Sequence, residues 1–358
     1  MTVTKIGIRL TMMPKTLVLG DLHLEDKYPG YLEAQRKCIE NIVHKEKPEV
    51  IVFLGDVFQF RKPDPETLLE FDELLRNILE TLGVISIYIL RGNHDSSTKG
   101  DNFITALSLF NGGRVEVITS TKYVMDLNYL FIPHYENELH ILSHINQFRK
   151  MNLINNNTII FGHFGFQGCL NTAGEEDFQL TPDMFDCKTI IGHIHKPGKM
   201  GNITVLGTPY STGFQEVDYH HQYGIIDRNG NLDLRPITHG PRYLVYPLEA
   251  LESNKEFICD HQHFTILRVL LSKLDGYNTI DLRKKLLDEY KVKYVDVKYL
   301  PFIDDKVDQS SYYTPSTLTE LTDEIIDKYI AEQKTSIPEA EIRKGLEILK
   351  NETQKDLH

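Results

Sequence analysis

Five glycines in this 358-residue chain each end an apolar run and hand over to side chains that bind metals or move protons. Ile89-Leu90-Arg91-Gly92 leads into Asn93, His94 and Asp95; Val18-Leu19-Gly20 into Asp21 and His23; Ile51-Val52-Phe53-Leu54-Gly55 into Asp56. Ile159-Ile160-Phe161-Gly162 is followed by His163, and Ile190-Ile191-Gly192 by His193 and His195. Singly such patterns are weak, because an Asp-x-His or a Gly-His at a strand end recurs by chance. Five in one chain weigh more. A glycine before each donor lets backbone approach a shared centre, and residues i and i+2 of extended backbone aim the same way. Asp21 with His23, and His193 with His195, are therefore expected to converge.

The donors are carboxylate, imidazole and amide oxygen without thiolate, a set that suits Mn²⁺, Fe²⁺ or Zn²⁺. There are enough of them for two ions. Two ions ~3.5–4 Å apart would clamp the attacking and leaving oxygens of a phosphoryl displacement and supply hydroxide at neutral pH. The chemistry indicated is phosphoester hydrolysis. Cys38, Cys169, Cys187 and Cys259 are scattered with no Cys-x-x-Cys pair, which argues against a thiolate zinc site or a disulfide framework. No G-x-x-x-x-G-K-[ST] stretch is present, so the chain has no P-loop for ATP hydrolysis of its own.

The elements that must position these residues read as alternating strands and helices. Strands are predicted at 16–19, 50–54 and 85–90, with helices over 30–46 and, from the N-cap Asp64 with Pro65 at N1, up to Gly83. This is the βαβ pattern, in which ligands gather beyond the carboxyl ends of the strands. Short strands follow in 115–132, a helix over 136–150, strands ending at His163 and His193, and a long loop over 165–185 between those two. Antiparallel strands at 203–206, 223–227 and 232–235, turning at Asn229-Gly230, are expected to close the unit. Beyond a boundary near Gly240-Pro241, residues 264–271, 280–290 and 292–299 predict a small β-α-β module. A polar linker over 306–315 precedes two amphipathic helices, the first with Leu318, Leu321, Ile325, Ile326 and Tyr329 on one face, a face that predicts docking on a partner.

Asp21-Leu22-His23, Gly55-Asp56, Gly92-Asn93-His94-Asp95, Gly162-His163 and Gly192-His193-Ile194-His195 resemble, in order and spacing, the signature motifs of calcineurin-like metallophosphoesterases. That resemblance implies an α/β four-layer sandwich, two mixed sheets flanked by helices. It also implies Asp21, His23 and His195 on one metal, Asn93, His163 and His193 on the other, Asp56 bridging both, and His94 as the catalytic, non-ligand histidine. Within the superfamily the chain is similar to the SbcD/Mre-eleven double-strand-break nucleases of the phage and bacterial branch. The similarity rests on Arg61-Lys62-Pro63 after Gly55-Asp56-Val57-Phe58, Lys196-Pro197 after His195, and Leu206-Gly207-Thr208-Pro209 with Gly213-Phe214-Gln215-Glu216 and Tyr223-Gly224, followed by a small cap and a helical tail. It implies a nuclease domain over 1–240, a capping, DNA-binding domain over 241–305, and a linker with ATPase-docking helices over 306–358. Gln59 departs from the family, whose members often carry Asp or His there.

By the same resemblance the function is that of a Mn²⁺-dependent nuclease, with Mg²⁺ as the alternative ion. It would act as 3′-to-5′ exonuclease and as single-strand or hairpin endonuclease, as a homodimer with an SbcC-type ABC ATPase. Arg61, Lys62, Lys99, Lys196 and Lys199 flank the motifs and are the candidate DNA-phosphate contacts. The alternative is a stand-alone phosphatase or small-molecule phosphodiesterase, which would need no terminal docking helices; a catalytically silent scaffold would place no demand on the filled motifs. Lys+Arg 39 against Asp+Glu 51 gives a net charge of −12, which does not favour a free-standing nucleic-acid binder and makes metals or a partner more important for DNA. No run approaches the ~18 apolar residues of a membrane span, and a cytoplasmic location, host cytoplasm if viral, is expected. His261 and His263 repeat the i, i+2 spacing outside the motifs and are read as solvated or packing residues. His220-His221 and His134 are read the same way, with a place near the site as the alternative for His134, which follows Phe131-Ile132-Pro133 at a strand end.

Overall fold

A computed structural model describes residues 13–81, 83–99, 103–169, 178–272, 276 and 278–299. Its first sheet is built on three crossover-linked parallel strands: β1 (Thr16–Leu19), α1 (Tyr31–Glu46), β2 (Val50–Phe53), α2 (Pro65–Thr81) and β3 (Ser86–Leu90), extended by β4 (Val115–Ile118). The second sheet holds β5 (Lys122–Val124), β6 (Tyr129–Ile132), β7 (Ile159–His163), β8 (Lys188–Gly192), β9 (Gly198–Met200) and β10 (Ile203–Val205), with α3 (Leu139–Lys150) crossing from β6 to β7. Strands β6, β7, β8 and β10 run parallel, and β5 and β9 close the edges antiparallel. The chain then returns to the first sheet, where β11 (Gln222–Ile226) and β12 (Leu232–Pro236) add antiparallel strands beside β1.

Side-chain alternation sorts these strands into layers. Leu17, Leu19, Ile51, Phe53, Ile87 and Ile89 point to α1 and α2, where they meet Ile39, Ile42, Phe71, Leu74 and Ile78. Their neighbours Val18, Val50, Val52, Leu54 and Leu90 point the other way and pack against Tyr129, Phe131, Ile159, Phe161 and Ile190 of the second sheet. Leu130, Ile132, Ile160 and Ile191 face Ile141 and Ile145 of α3. Strands apolar on both faces belong to doubly covered parallel sheets. The result is helix, sheet, sheet, helix, the four-layer sandwich expected. Helix α2 opens as its sequence predicts, with Asp64 Oδ1 accepting the Thr67 N–H at 2.7 Å.

Some elements differ from expectation. Helix α3 begins at Leu139 rather than 136; the Glu138 carboxylate is engaged elsewhere, accepting N–H groups of Gln179 (2.6 Å) and Leu180 (3.3 Å). The loop between β7 and β8 is irregular in its described parts, apart from one short turn at Pro182–Met184, yet it buries Phe166, Phe178, Leu180 and Phe185 against the second sheet. Strand β9 was not anticipated. Residues 240–247, expected only as a boundary, form the eight-residue strand β13 (Gly240–Pro247). Pro241 and Pro247 argue against a strand by their missing N–H, but β13 is an edge, where proline is tolerated.

After β13 come α4 (Lys255–Ile258), β14 (His263–Leu271), α5 (Thr279–Tyr290) and β15 (Tyr294–Tyr299), and the three strands make a separate parallel sheet. It has its own core, in which Leu267, Val269 and Leu271 meet Leu282, Leu286 and Tyr290. The start of β13 and β14 joins α1 through Tyr31, Tyr243, Phe264 and Ile266. The expected terminal helices, with Leu318, Leu321, Ile325, Ile326 and Tyr329, lie outside the described residues.

Candidate metal centre

The carboxyl ends of β1, β2 and β3 in one sheet and of β7 and β8 in the other deliver all the expected donors to one place. Left-handed backbone then turns them inward: His23 has φ 44°, Asp56 φ 47° and His193 φ 79°. Non-glycine residues in this region cost on the order of 1–3 kcal/mol each and persist where the surroundings over-determine them, commonly at active sites. Asp21 and His23 thus converge through a turn rather than through extended i, i+2 geometry. Two glycines are required by close approach. A Cβ on Gly92 would lie 2.0 Å from Asp56 Oδ1, and one on Gly55, whose φ is +109°, 2.4 Å from His163 Nδ1.

Among the described residues two groups can hold a cation, Asp21-His23-Asp56 and Asp56-His163-His193, and they share Asp56. In the second, Asn93 Oδ1 lies 2.9 Å from His163 Nε2 and 3.0 Å from His193 Nδ1, with Asp56 Oδ2 3.4 Å from His163 Nε2. Beside the first, His195 Nε2 lies 3.0 Å from His23 Nε2. His193 and His195, two residues apart, thus lie against different groups. Asp21 Oδ1 accepts the His193 N–H at 2.7 Å and links the two.

The donor chemistry fits a divalent cation in each group. His163 Nδ1 faces the Leu54 carbonyl at 2.8 Å, so it carries the proton, and in the neutral ring the Nε2 lone pair faces the oxygen of Asn93. Acceptor facing acceptor is favourable only around a proton or a metal. Among the described residues Asp21 Oδ2 is buried without a hydrogen-bond partner, a cost a bound cation removes. The ionisation pattern carries the same field. Burial opposes charge on Asp56, but His163, through its charge and its hydrogen bond, outweighs it and holds the carboxyl well below its usual range. Burial likewise opposes protonation of His163, yet the Asp56 carboxylate wins and raises it to about 9. Burial pushes His23 well down and His193 down to about 3, leaving both neutral and fit to ligate.

His94 stands apart from the donors. Its backbone N–H donates to Asp56 Oδ1 at 2.8 Å, while its Nδ1 donates to the Gln59 carbonyl at 2.7 Å and its ring meets His23 edge-on at 4.9 Å. Since the contact is to the Gln59 backbone, it does not depend on which side chain occupies position 59. Asp95 ties the loops after β2 and β3 together by accepting N–H groups of Gly92 (2.9 Å), Phe58 (3.2 Å) and Val57 (3.3 Å), and burial raises its carboxyl to about 6.

Other positions divide. Arg61 is half-buried and donates to the Ser96 carbonyl at 3.0 Å, bracing the same two loops; Lys62, Lys99, Lys196 and Lys199 are exposed. His134, at the end of β6, sits with its ring 6.0 Å from His163 and 5.9 Å from His193. A contact not anticipated is that of Glu216, whose Oε1 is 2.5 Å from His195 Nδ1. The resemblance singles out its segment, Gly213-Phe214-Gln215-Glu216, but gives the carboxylate no role; it comes 21 residues after its partner and only folding joins them. His263 pairs with Asp260 at 3.0 Å, away from the donors.

Comparison with known proteins agrees with the geometry. The chain is 24% identical over 280 residues to the SbcD component of the nuclease SbcCD from Staphylococcus epidermidis, across 68% of this chain and 74% of that protein. The family model for calcineurin-like phosphoesterases matches residues 14–197, the span from β1 to just past the final histidine donor. With both sheets, the shared aspartate and just over half of the sequence in register with that model, the chain belongs to the calcineurin-like phosphoesterase family.

Proposed function

We propose that this chain is the metal-dependent nuclease subunit of an SbcCD-like ATPase–nuclease complex, cleaving DNA phosphodiester bonds in recombination, repair and end processing. The observation that carries the reading is the pair of cation-competent groups sharing Asp56, in a chain similar to a nuclease subunit over most of its length. Asp21, His23 and His195 would hold one ion and Asn93, His163 and His193 the other, with Asp56 common to both. Bound divalent ions, Mn²⁺ in this reading, supply Lewis acidity and a nucleophile at neutral pH. The protein's own part is orientation and proton transfer. Gln59 fixes the His94 ring through Nδ1, leaving Nε2 to hand a proton to the departing sugar oxygen. Exposed Lys62, Lys99, Lys196 and Lys199 flank the site loops and would meet DNA phosphates.

The rest of the assembly follows the same reading: a nuclease domain over 1–240, a DNA-binding cap over 241–305, and helices in 306–358 docking an SbcC-type ABC ATPase in the cytoplasm. Exposed Phe60, Leu69, Ile104 and Leu109 support a homodimer, since large apolar side chains grouped on the segments around Phe58, Phe71 and Phe110 are suited to burial by a second copy. No described helix is long and apolar enough to cross a membrane. The test is purified full-length chain, with and without a co-expressed ABC ATPase, on end-labelled duplex and hairpin DNA in Mn²⁺ or Mg²⁺. Metal-dependent cleavage stimulated by the ATPase is expected. Hydrolysis of aryl phosphates with no action on DNA under either condition would instead indicate a stand-alone phosphatase.

A further inference from the structure

Glu216 is fully buried beside the His23–His195 end of the centre, on a segment that leaves β10 at Leu206 and stays almost wholly buried through Thr212. This strap is fastened to the first sheet's ligand loop. Tyr210 donates its hydroxyl to the Leu22 carbonyl at 2.7 Å, and Tyr31 donates to the Ser211 carbonyl at 3.3 Å. The Glu216 carboxylate is itself held from several sides: Oε2 accepts the Thr212 N–H at 2.8 Å and the Thr208 hydroxyl at 3.4 Å, and Oε1 accepts the Thr212 hydroxyl at 2.8 Å. To these is added the 2.5 Å contact with His195 Nδ1.

We propose that Glu216 is a positioning residue that selects the tautomer and ring angle of His195, and so sets the affinity of one metal position, that of Asp21, His23 and His195, and not the other. The proposal rests on the reading of this cluster as a metal centre. An ionised carboxylate only accepts hydrogen bonds, so His195 Nδ1 must carry the proton and the Nε2 lone pair is turned toward His23. The second position has a different anchor: His163 Nδ1 is fixed by the Leu54 carbonyl on the first sheet. The two positions are thus oriented by separate parts of the fold, one by sheet backbone and one by a side chain brought in from 21 residues downstream.

Glu216→Gln keeps the shape and removes the one-way polarity. With its oxygen on the Thr212 N–H, the new amide turns an N–H toward His195 Nδ1 and favours the tautomer whose Nε2 is protonated. Outer-shell partners of metal-bound histidines typically contribute 10–100-fold in affinity. Calorimetric titration of the full-length chain with Mn²⁺ should show two ions in wild type and, in E216Q, one affinity lowered roughly 10–100-fold with the other unchanged. Co²⁺ absorption spectra should change for one ion only. A second measurement needs no variant: two-bond ¹H–¹⁵N correlation in the Zn²⁺-loaded wild type should show His195 protonated at Nδ1. Unchanged affinities in a folded E216Q, an equal fall at both positions, or a wild-type His195 protonated at Nε2 would each overturn the proposal. A wild-type chain that binds no ion would overturn the metal reading itself, a result distinguishable from all three.

Discussion

Replacing His94 by Gln separates proton transfer from metal binding. The backbone N–H of residue 94, which donates to Asp56 Oδ1 at 2.8 Å, survives the change, so the shared carboxylate keeps its partner. What is lost is the ring that Gln59 orients at 2.7 Å and with it, on the proposed reading, the proton donor to the leaving oxygen. A positioned general acid contributes roughly 10²–10⁴-fold, which is about 2.7–5.5 kcal/mol of barrier. The fall should therefore reach that size on DNA, whose sugar oxygen is a poor leaving group. It should shrink to a few-fold on an activated aryl phosphodiester, whose leaving group departs without a proton. The assay is single-turnover cleavage of both substrates, with calorimetry on the same preparation showing two bound Mn²⁺. Loss of an ion would make His94 a ligand. A fall of equal size on both substrates would refute proton donation even if both ions remain.

The remaining predictions concern the frame. Asp56→Asn should weaken metal binding at both positions, since both groups include Asp56; calorimetry showing one unaltered position would rule out a shared ligand. Gly92→Ala would place a Cβ 2.0 Å from Asp56 Oδ1 and 2.3 Å from Asp56 N, so it should abolish two-ion binding and cost roughly 1–3 kcal/mol by chemical denaturation. Near-wild-type metal affinity in this variant would show that the loops after β2 and β3 are less closely set than described. Glu46, buried at the end of α1, accepts hydrogen bonds from Tyr223 (2.7 Å), Arg235 (2.5 Å) and Lys15 (3.1 Å). Burial opposes its ionisation, but those partners outweigh it and lower its pKa. A lowered folded pKa means the stabilisation is full above the unfolded value of about 4.3 and is lost as pH falls through the folded one. Glu46→Gln should thus cost about 1.5–3 kcal/mol near pH 7, moderated because Arg235 and Lys15 are partly exposed, and progressively less in acid. Parallel stability profiles of the two proteins between pH 7 and pH 3 would contradict this.

Local sequence was enough for the elements around the site and for the side chains that the fold gathers there. The apolar runs at 16–19, 50–53 and 159–163, the Asp64 cap and the stripes of α1 and α2 are short-range patterns, set by side-chain period and by the first-turn N–H groups. Asp21, His23, Asp56, Asn93, His163, His193 and His195 were legible because each follows a glycine at a strand end, and strand ends in parallel sheets share one side. Tertiary structure decided the rest. Which strands form which sheet depends on burial of the second apolar face, which β1 and β7 display alike in sequence. Strand β13 escaped notice because its prolines are tolerated only at an edge, and an edge exists only once the sheet is assembled. The left-handed turns at His23, Asp56 and His193 run against local preference and are held by surrounding contacts. Glu216 reaches His195 only through the fastening of a whole segment to the opposite sheet. The family resemblance separates Asn93 from His94 by role, but only packing gives that separation a physical form: one oxygen lies between two imidazoles and the other ring is fixed on a carbonyl, because each side chain meets partners that come from distant parts of the sequence.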